Sequence, residues 1–117
     1  MLKINQPRLF NRIPDGILFD TDNTLYSYDP AHLKAMNALK FKISNTLNVS
    51  TKDVEKNFNQ ARFEVKKLLK NSAASHSRLL YVQRMLEFFG LGSQVLLALD
   101  FEQTYWRVFL SEAKLFP

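Results

Sequence analysis

Apolar positions along the chain form one unbroken run followed by four periodic stripes. The run is Ile17-Leu18-Phe19, entered through the turn signal Pro14-Asp15-Gly16 after an irregular lead-in over residues 1–13. A segment apolar on both faces predicts a short strand buried in a parallel sheet. It stops at the polar segment Asp20-Thr21-Asp22-Asn23-Thr24. Beyond Tyr28 the period becomes helical. Asp29 is placed to cap a helix and Pro30 suits its first turn, after which Leu33, Met36, Leu39, Ile43 and Leu47 recur at three- and four-residue steps. Ser50-Thr51-Lys52-Asp53 has the form of a capping box and opens a stripe of Val54, Phe58, Ala61, Val65 and Leu68. A polar break over residues 71–75 precedes a third helix, running to about Phe89, with Leu79, Val82, Met85, Leu86 and Phe89 inward. Gly90 is placed to end it. Ser93 is expected to cap a fourth helix carrying Leu96, Leu97, Phe101, Tyr105, Trp106 and Phe109.

The predicted chain is therefore mostly α, one strand and then four helices able to share a core as a bundle. The strand fits that picture poorly, because a single strand has no ladder partner for its backbone N–H and C=O groups. The expectation is an incomplete domain, whose strand pairs with further chain, another copy or another protein.

Composition narrows the function classes. A chain of 117 residues suffices for one domain, and an apolar share of 46% with ten Phe argues against a disordered tail. The absence of Cys excludes disulfides, thiolate metal sites and a cysteine nucleophile. No apolar run approaches the roughly 20 residues of a membrane span, and residues 1–6 lack the hydrophobic centre of a signal peptide. A cytoplasmic protein with no membrane partner is expected. The net charge is +5, and its densest cluster, Lys66, Lys67 and Lys70, has no interleaved aromatics. That cluster reads as a solvated helix face, and no nucleic-acid partner is expected.

The chemistry lies in the polar segment after the strand. Asp20 and Asp22 stand where open α/β sheets bind ligands, outside the carboxyl end of a strand. Such oxygen donors suit Mg²⁺, which takes one or two carboxylates and keeps waters and substrate phosphate. A carboxylate can attack phosphorus to form an aspartyl-phosphate, and a metal ion offsets the charge that opposes that attack. A second carboxylate can protonate the leaving oxygen and then activate water.

The stretch Gly16-Ile17-Leu18-Phe19-Asp20-Thr21-Asp22-Asn23-Thr24-Leu25-Tyr26 resembles motif I of the haloacid-dehalogenase-like (HAD) hydrolases, a hydrophobic strand followed by Asp-x-Asp-x-Thr. The Asn-Thr-Leu-Tyr ending is similar to the pyrimidine 5′-nucleotidase-like subgroup. Thr21 departs from the pattern, which more usually has an apolar residue there. The resemblance implies an α/β HAD-like (Rossmannoid) fold for the full protein, with Asp20 as nucleophile and metal ligand. It further implies Asp22 as general acid/base with its backbone carbonyl on Mg²⁺, and Thr24 as the residue that orients the loop. It divides the chain into the first strand and catalytic loop over residues 1–28, a helical cap over 29–112, and the start of the return to the core over 113–117. It implies a small phosphorylated substrate. The family's phosphate-holding Ser or Thr, its Lys and its later acidic pair have no counterpart in this sequence, so the chain alone is expected to be inactive or nearly so. Dehalogenases generally lack the second acid, so Asp22 favours phosphoryl transfer.

Because HAD caps help to choose the leaving group, His76 and Arg78 are candidate substrate contacts, with Arg84 a weaker one. The competing reading is that Ser75 or Ser77 caps the helix and Arg78 stands exposed. His32 is expected on the surface, and neither His has the i, i+4 partner of a zinc site. Tyr105 and Trp106 are expected in the core rather than stacked on a ligand. The three glycines, at 16, 90 and 92, form no phosphate-cradling loop. The alternative function is a non-catalytic basic helical module that binds another chain through its exposed strand.

Overall fold

A computed structural model describes residues 15–117. The lead-in over residues 1–13 and Pro14 of the expected turn lie outside the described residues. Four helices dominate: α1 (Tyr28–Leu47), α2 (Thr51–Leu69), α3 (Arg78–Phe88) and α4 (Val95–Glu112), with a 3₁₀ turn at Ala73–His76 between α2 and α3. The helices α1 and α4 pack together, as do α2 and α3, and further contacts of α1 with α2 and α3 with α4 close the bundle. No helix among the described residues is long and apolar enough to cross a membrane.

The inner faces are narrower and slightly rotated relative to the expected stripes. On α1 the buried row is Ala31, Ala35, Leu39 and Ile43, whereas Leu33 is 62% exposed. Alanines give little hydrophobic signal, but their small side chains leave room for the aromatics of α4, where Phe101, Tyr105 and Phe109 are buried beside Ala98. On α2 the row is Val54, Phe58, Ala61 and Val65, with Leu68 exposed. On α3 it is Tyr81, Val82, Met85 and Leu86, while Leu79 and Phe89 pack at its margin. Leu96 of α4 is also exposed rather than inward.

The helix ends have clear local causes. The Ser50 side chain accepts the Asp53 backbone N–H at 3.0 Å and opens α2. At α3 the Ser77 hydroxyl accepts Leu80 N–H at 3.4 Å. Gly90 takes φ +76° past the end of α3, and Leu91 N–H closes on Leu86 C=O at 2.8 Å, as in a Schellman-type stop. Two expected caps are corrected. Asp29 lies in the first turn of α1 rather than at its cap, where Ser27 makes no side-chain bond, and Asn23 Oδ1 instead accepts Tyr28 N–H at 3.0 Å. Gln94, not Ser93, occupies the N-cap position of α4, also without a side-chain bond.

The expected strand does not form. Ile17, Leu18 and Phe19 are 68%, 101% and 73% exposed, and no sheet exists among the described residues. The physical reason is the one that made the strand anomalous: nothing among the described residues offers it a ladder. Pairing occurs just beyond it instead. Tyr26 forms an isolated antiparallel bridge with Leu115, and Phe116 N–H donates to Leu25 C=O at 2.8 Å, so the segment after α4 returns to the acidic loop.

Candidate active site

The acidic loop is a compact turn. The Thr21 carbonyl accepts both Thr24 N–H at 3.1 Å and Leu25 N–H at 2.9 Å. Within the turn Asn23 is left-handed at φ 58°, a conformation that Asn tolerates better than most side chains. The same Asn23 ties the loop to α1 through Tyr28 N–H. Side chains complete the turn: the Thr24 hydroxyl donates to the Asp20 carboxylate, and the Tyr26 hydroxyl donates to Asp22 Oδ1. That bond to Asp22 is the first cause holding the Tyr26 phenol above its ordinary range. The Tyr26 ring stands edge-on to Phe109 with centroids 5.8 Å apart, which seats the loop on the end of the bundle.

Between loop and bundle lies a cleft of about 840 Å³. The loop contributes Thr21, Asp22 and Tyr26 to it; the helices contribute His32, Arg62, Lys66, Arg78 and Trp106, and the 3₁₀ turn contributes His76. Asp22, His76 and Arg78 thus share one cavity. Asp20 and Thr24 are exposed on the loop and do not line it. Arg84 faces elsewhere, held by Glu64 at 2.7 Å and by Glu87.

Arg78 is half-buried rather than free. Its guanidinium donates to the Tyr28 hydroxyl at 2.7 Å and lies 4.0 Å from the Tyr105 ring centroid and 5.1 Å from that of Trp106. His76 stays exposed on a 3₁₀ turn anchored by buried Ser75, whose carbonyl accepts the Tyr81 hydroxyl.

Two expectations are corrected here. His32 is not a surface residue: it is half-buried, stacked on Tyr28 with centroids 5.1 Å apart, and its Nδ1 lies 2.7 Å from the Tyr105 hydroxyl. Burial, and then the positive charges of Arg78 and Arg62, hold its pKa below the ordinary histidine value. Trp106 is not core: it is 38% exposed, lines the cleft, and donates Nε1–H to Glu102 at 2.6 Å. Tyr105 is buried as expected, and that burial is the main cause raising its phenol pKa.

Tyr28 and Arg62 are cleft residues that sequence patterning passed over, and His32 and Lys66 are cleft residues that it read as a surface position and part of a solvated helix face. The available signal was spacing. Tyr28 and His32 stand one turn apart, and Phe58, Arg62 and Lys66 follow each other at four-residue steps on α2. Among the described residues no three His, Asp or Glu side chains gather as a metal site.

No family model matches the chain. No solved structure matches it. Among curated proteins, it is 34% identical over 104 residues to one from Halopiger xanaduensis named ribulose-1,5-bisphosphate 5-phosphatase. The matched region takes in 87% of this chain and 43% of that protein, so the chain spans less than half the length of the relative it matches.

Proposed function

We propose that this chain is the nucleophile-bearing loop and substrate-covering cap of a HAD-like phosphatase acting on a small phosphorylated substrate. The observation that carries this reading is the placement of Asp22 at the mouth of a cleft whose helical side presents Arg62, Lys66 and Arg78. Similarity to a protein named as a phosphatase supports it.

In this reading an Asp20 carboxylate oxygen attacks phosphorus, and the ester oxygen leaves with a proton from Asp22. Asp22, now a carboxylate, removes a proton from water as that water attacks the phosphorus of the aspartyl-phosphate, releasing phosphate and restoring Asp20. The hydroxyl bonds from Thr24 to Asp20 and from Tyr26 to Asp22 hold the two carboxylates apart in defined orientations. The donor set, hard oxygens and no sulfur, fits Mg²⁺, which Asp20 and the Asp22 backbone carbonyl would hold. When bound, the cation offsets negative charge on the phosphoryl group.

The finer assignments belong to the same proposal. Residues 1–28 are the first strand and loop of a Rossmannoid core, 29–112 the cap, and 113–117 the return to the core, with the sequence ending Asn23-Thr24-Leu25-Tyr26 favouring the pyrimidine 5′-nucleotidase-like subgroup. Ile17–Phe19 becomes a sheet strand when a parallel neighbour pairs with it. The decisive experiment is phosphomonoester turnover by the full-length protein with and without Mg²⁺. Full activity retained by Asp20→Asn removes the nucleophile assignment.

The exposure of Ile17, Leu18 and Phe19 favours a second reading, in which this segment pairs with another chain and no catalysis follows. Sedimentation of the chain beside a Leu18→Lys variant tests it. Self-association lost on substitution supports that reading, and a monomer in both counts against it.

A further inference from the structure

We infer that α4 pairs with α4 of a second copy of this chain, the two helices running antiparallel across a two-fold axis. The pairing is independent of the chemistry proposed for the acidic loop.

Two apolar stripes run along α4. One, made of Ala98, Phe101, Tyr105 and Phe109, is buried in the bundle. The other is Leu96, Leu99, Gln103, Trp106 and Leu110, and it lies outside. Leu96 is 82% exposed and Leu110 70%, and Leu99 and Trp106 are each open over more than a third of their surface. With 3.6 residues per turn, the outer stripe centres roughly 120° round the helix from the buried one. Alternating three- and four-residue steps are the spacing of a coiled-coil seam. Single exposed leucines are ordinary, but four large apolar side chains aligned along one helix form a contiguous patch. Trp106 is already fixed: its ring stands edge-on to Tyr105 and Phe109, and its Nε1–H donates to Glu102. A partner can therefore cover it without freezing a mobile side chain or stranding a donor.

Charge selects the occupant and the register. Asp100 and Arg107 both flank the stripe on the same side, seven residues apart. An antiparallel copy can seat its seam in two ways. In one, Leu96 meets Trp106 of the second copy and Leu99 meets its Gln103, which brings Asp100 against Asp100 and Glu102 against Glu102. In the other, Leu99 meets Leu110 of the second copy and Gln103 meets its Trp106. This second register sets Asp100 opposite Arg107, and the two-fold axis repeats the contact. Lys42 binds one oxygen of Asp100 at 2.6 Å, and the half-exposed carboxylate has its other oxygen for a guanidinium. A stripe whose apolar and charged positions answer themselves in reverse order suits a second copy of the same helix.

The test starts from the unsubstituted chain. Sedimentation over a concentration series is expected to show the weight-average mass rising toward twice the monomer value. Trp106 is the only tryptophan, so its emission reports on this face. That emission is expected to move to shorter wavelength as the dimer forms, and equally so in Leu18→Lys, which separates this contact from pairing through Ile17–Phe19. Leu99→Glu with Leu110→Glu is expected to weaken association at least about a hundredfold. Arg107→Glu, which sets like charges against Asp100 at two symmetric places, is expected to weaken it about tenfold at low salt. All three sites are exposed, so thermal midpoints followed by circular dichroism are expected to stay unchanged. The chain has no Cys, so introduced thiols report orientation. Leu99→Cys and Leu110→Cys chains are expected to cross-link to each other on oxidation and neither to itself. A monomer at every concentration, or a dimer that survives the double Glu substitution, overturns the inference. So do Leu99→Cys chains that cross-link among themselves, as parallel helices would.

Discussion

The bundle and the acidic loop are built on opposite terms. In the bundle, sixteen apolar side chains from four helices are buried together, and no buried side-chain polar atom among the described residues lacks a partner. In the loop, every residue from Asp15 to Leu25 is exposed, and order comes from a few polar bonds: two to the Thr21 carbonyl, one through Asn23 to α1, and two hydroxyls on two carboxylates. Burial sums over many contacts and tolerates the loss of polar detail. A hydrogen-bonded turn in water depends on each bond separately, but leaves its carboxylates accessible to a ligand. Stability and the proposed chemistry are thus carried by different residues, and substitutions should separate them.

The sharpest separation is expected at the two extremes. Asp20→Asn in the full-length protein should lower phosphomonoester turnover about a thousandfold or more, equivalent to about 4 kcal/mol in the barrier. It should leave the thermal midpoint of the bundle unchanged, because Thr24 can still donate to the amide oxygen. Phe101→Ala should act in the reverse sense, destabilising the fold by about 3–5 kcal/mol in urea titrations through loss of a fully buried ring. If Asp20→Asn unfolds the bundle, the two regions are not independent and the comparison fails.

Asn23→Ala joins the two regions and should have an intermediate effect. It removes the acceptor for Tyr28 N–H and places an alanine at φ 58°, for a cost of about 1 kcal/mol. Faster hydrogen exchange at Tyr28 N–H, with Phe101 amide protection unchanged, would confine the damage to the junction.

The smallest expected effect is a pH dependence at His32. Its folded pKa lies below the ordinary value of 6.5, so the unfolded chain takes up the proton first as pH falls. The stabilisation tied to neutral His32 is fully present above pH 6.5 and is lost as pH falls through the folded pKa. Urea midpoints measured at intervals from pH 7.5 to 5 should decline, and His32→Gln should flatten that decline.

The sequence makes the bundle legible because helices announce themselves through periodicity, and α2 shows this best: Val54, Phe58, Ala61 and Val65 are buried, behind the expected Ser50 cap. Patterning failed where small or amphipathic residues set the inner face. Ala31 and Ala35 outweighed Leu33 on α1 because close helix approach, not hydrophobicity, selects that row. The acidic loop stood out as candidate chemistry, since Asp20 and Asp22 stand two residues apart after an apolar run. Its geometry was not, because the hydroxyls of Thr24 and Tyr26 and the left-handed Asn23 act through three-dimensional placement. His32 escaped because its partner Tyr105 lies 73 residues away, a relation that no local pattern encodes.

The bridge between Tyr26 and Leu115 means that the polypeptide enters the helical body and leaves it through one doorway. A module whose two ends meet can be lifted out and the gap closed by a short glycine-serine link without dragging on what stays behind.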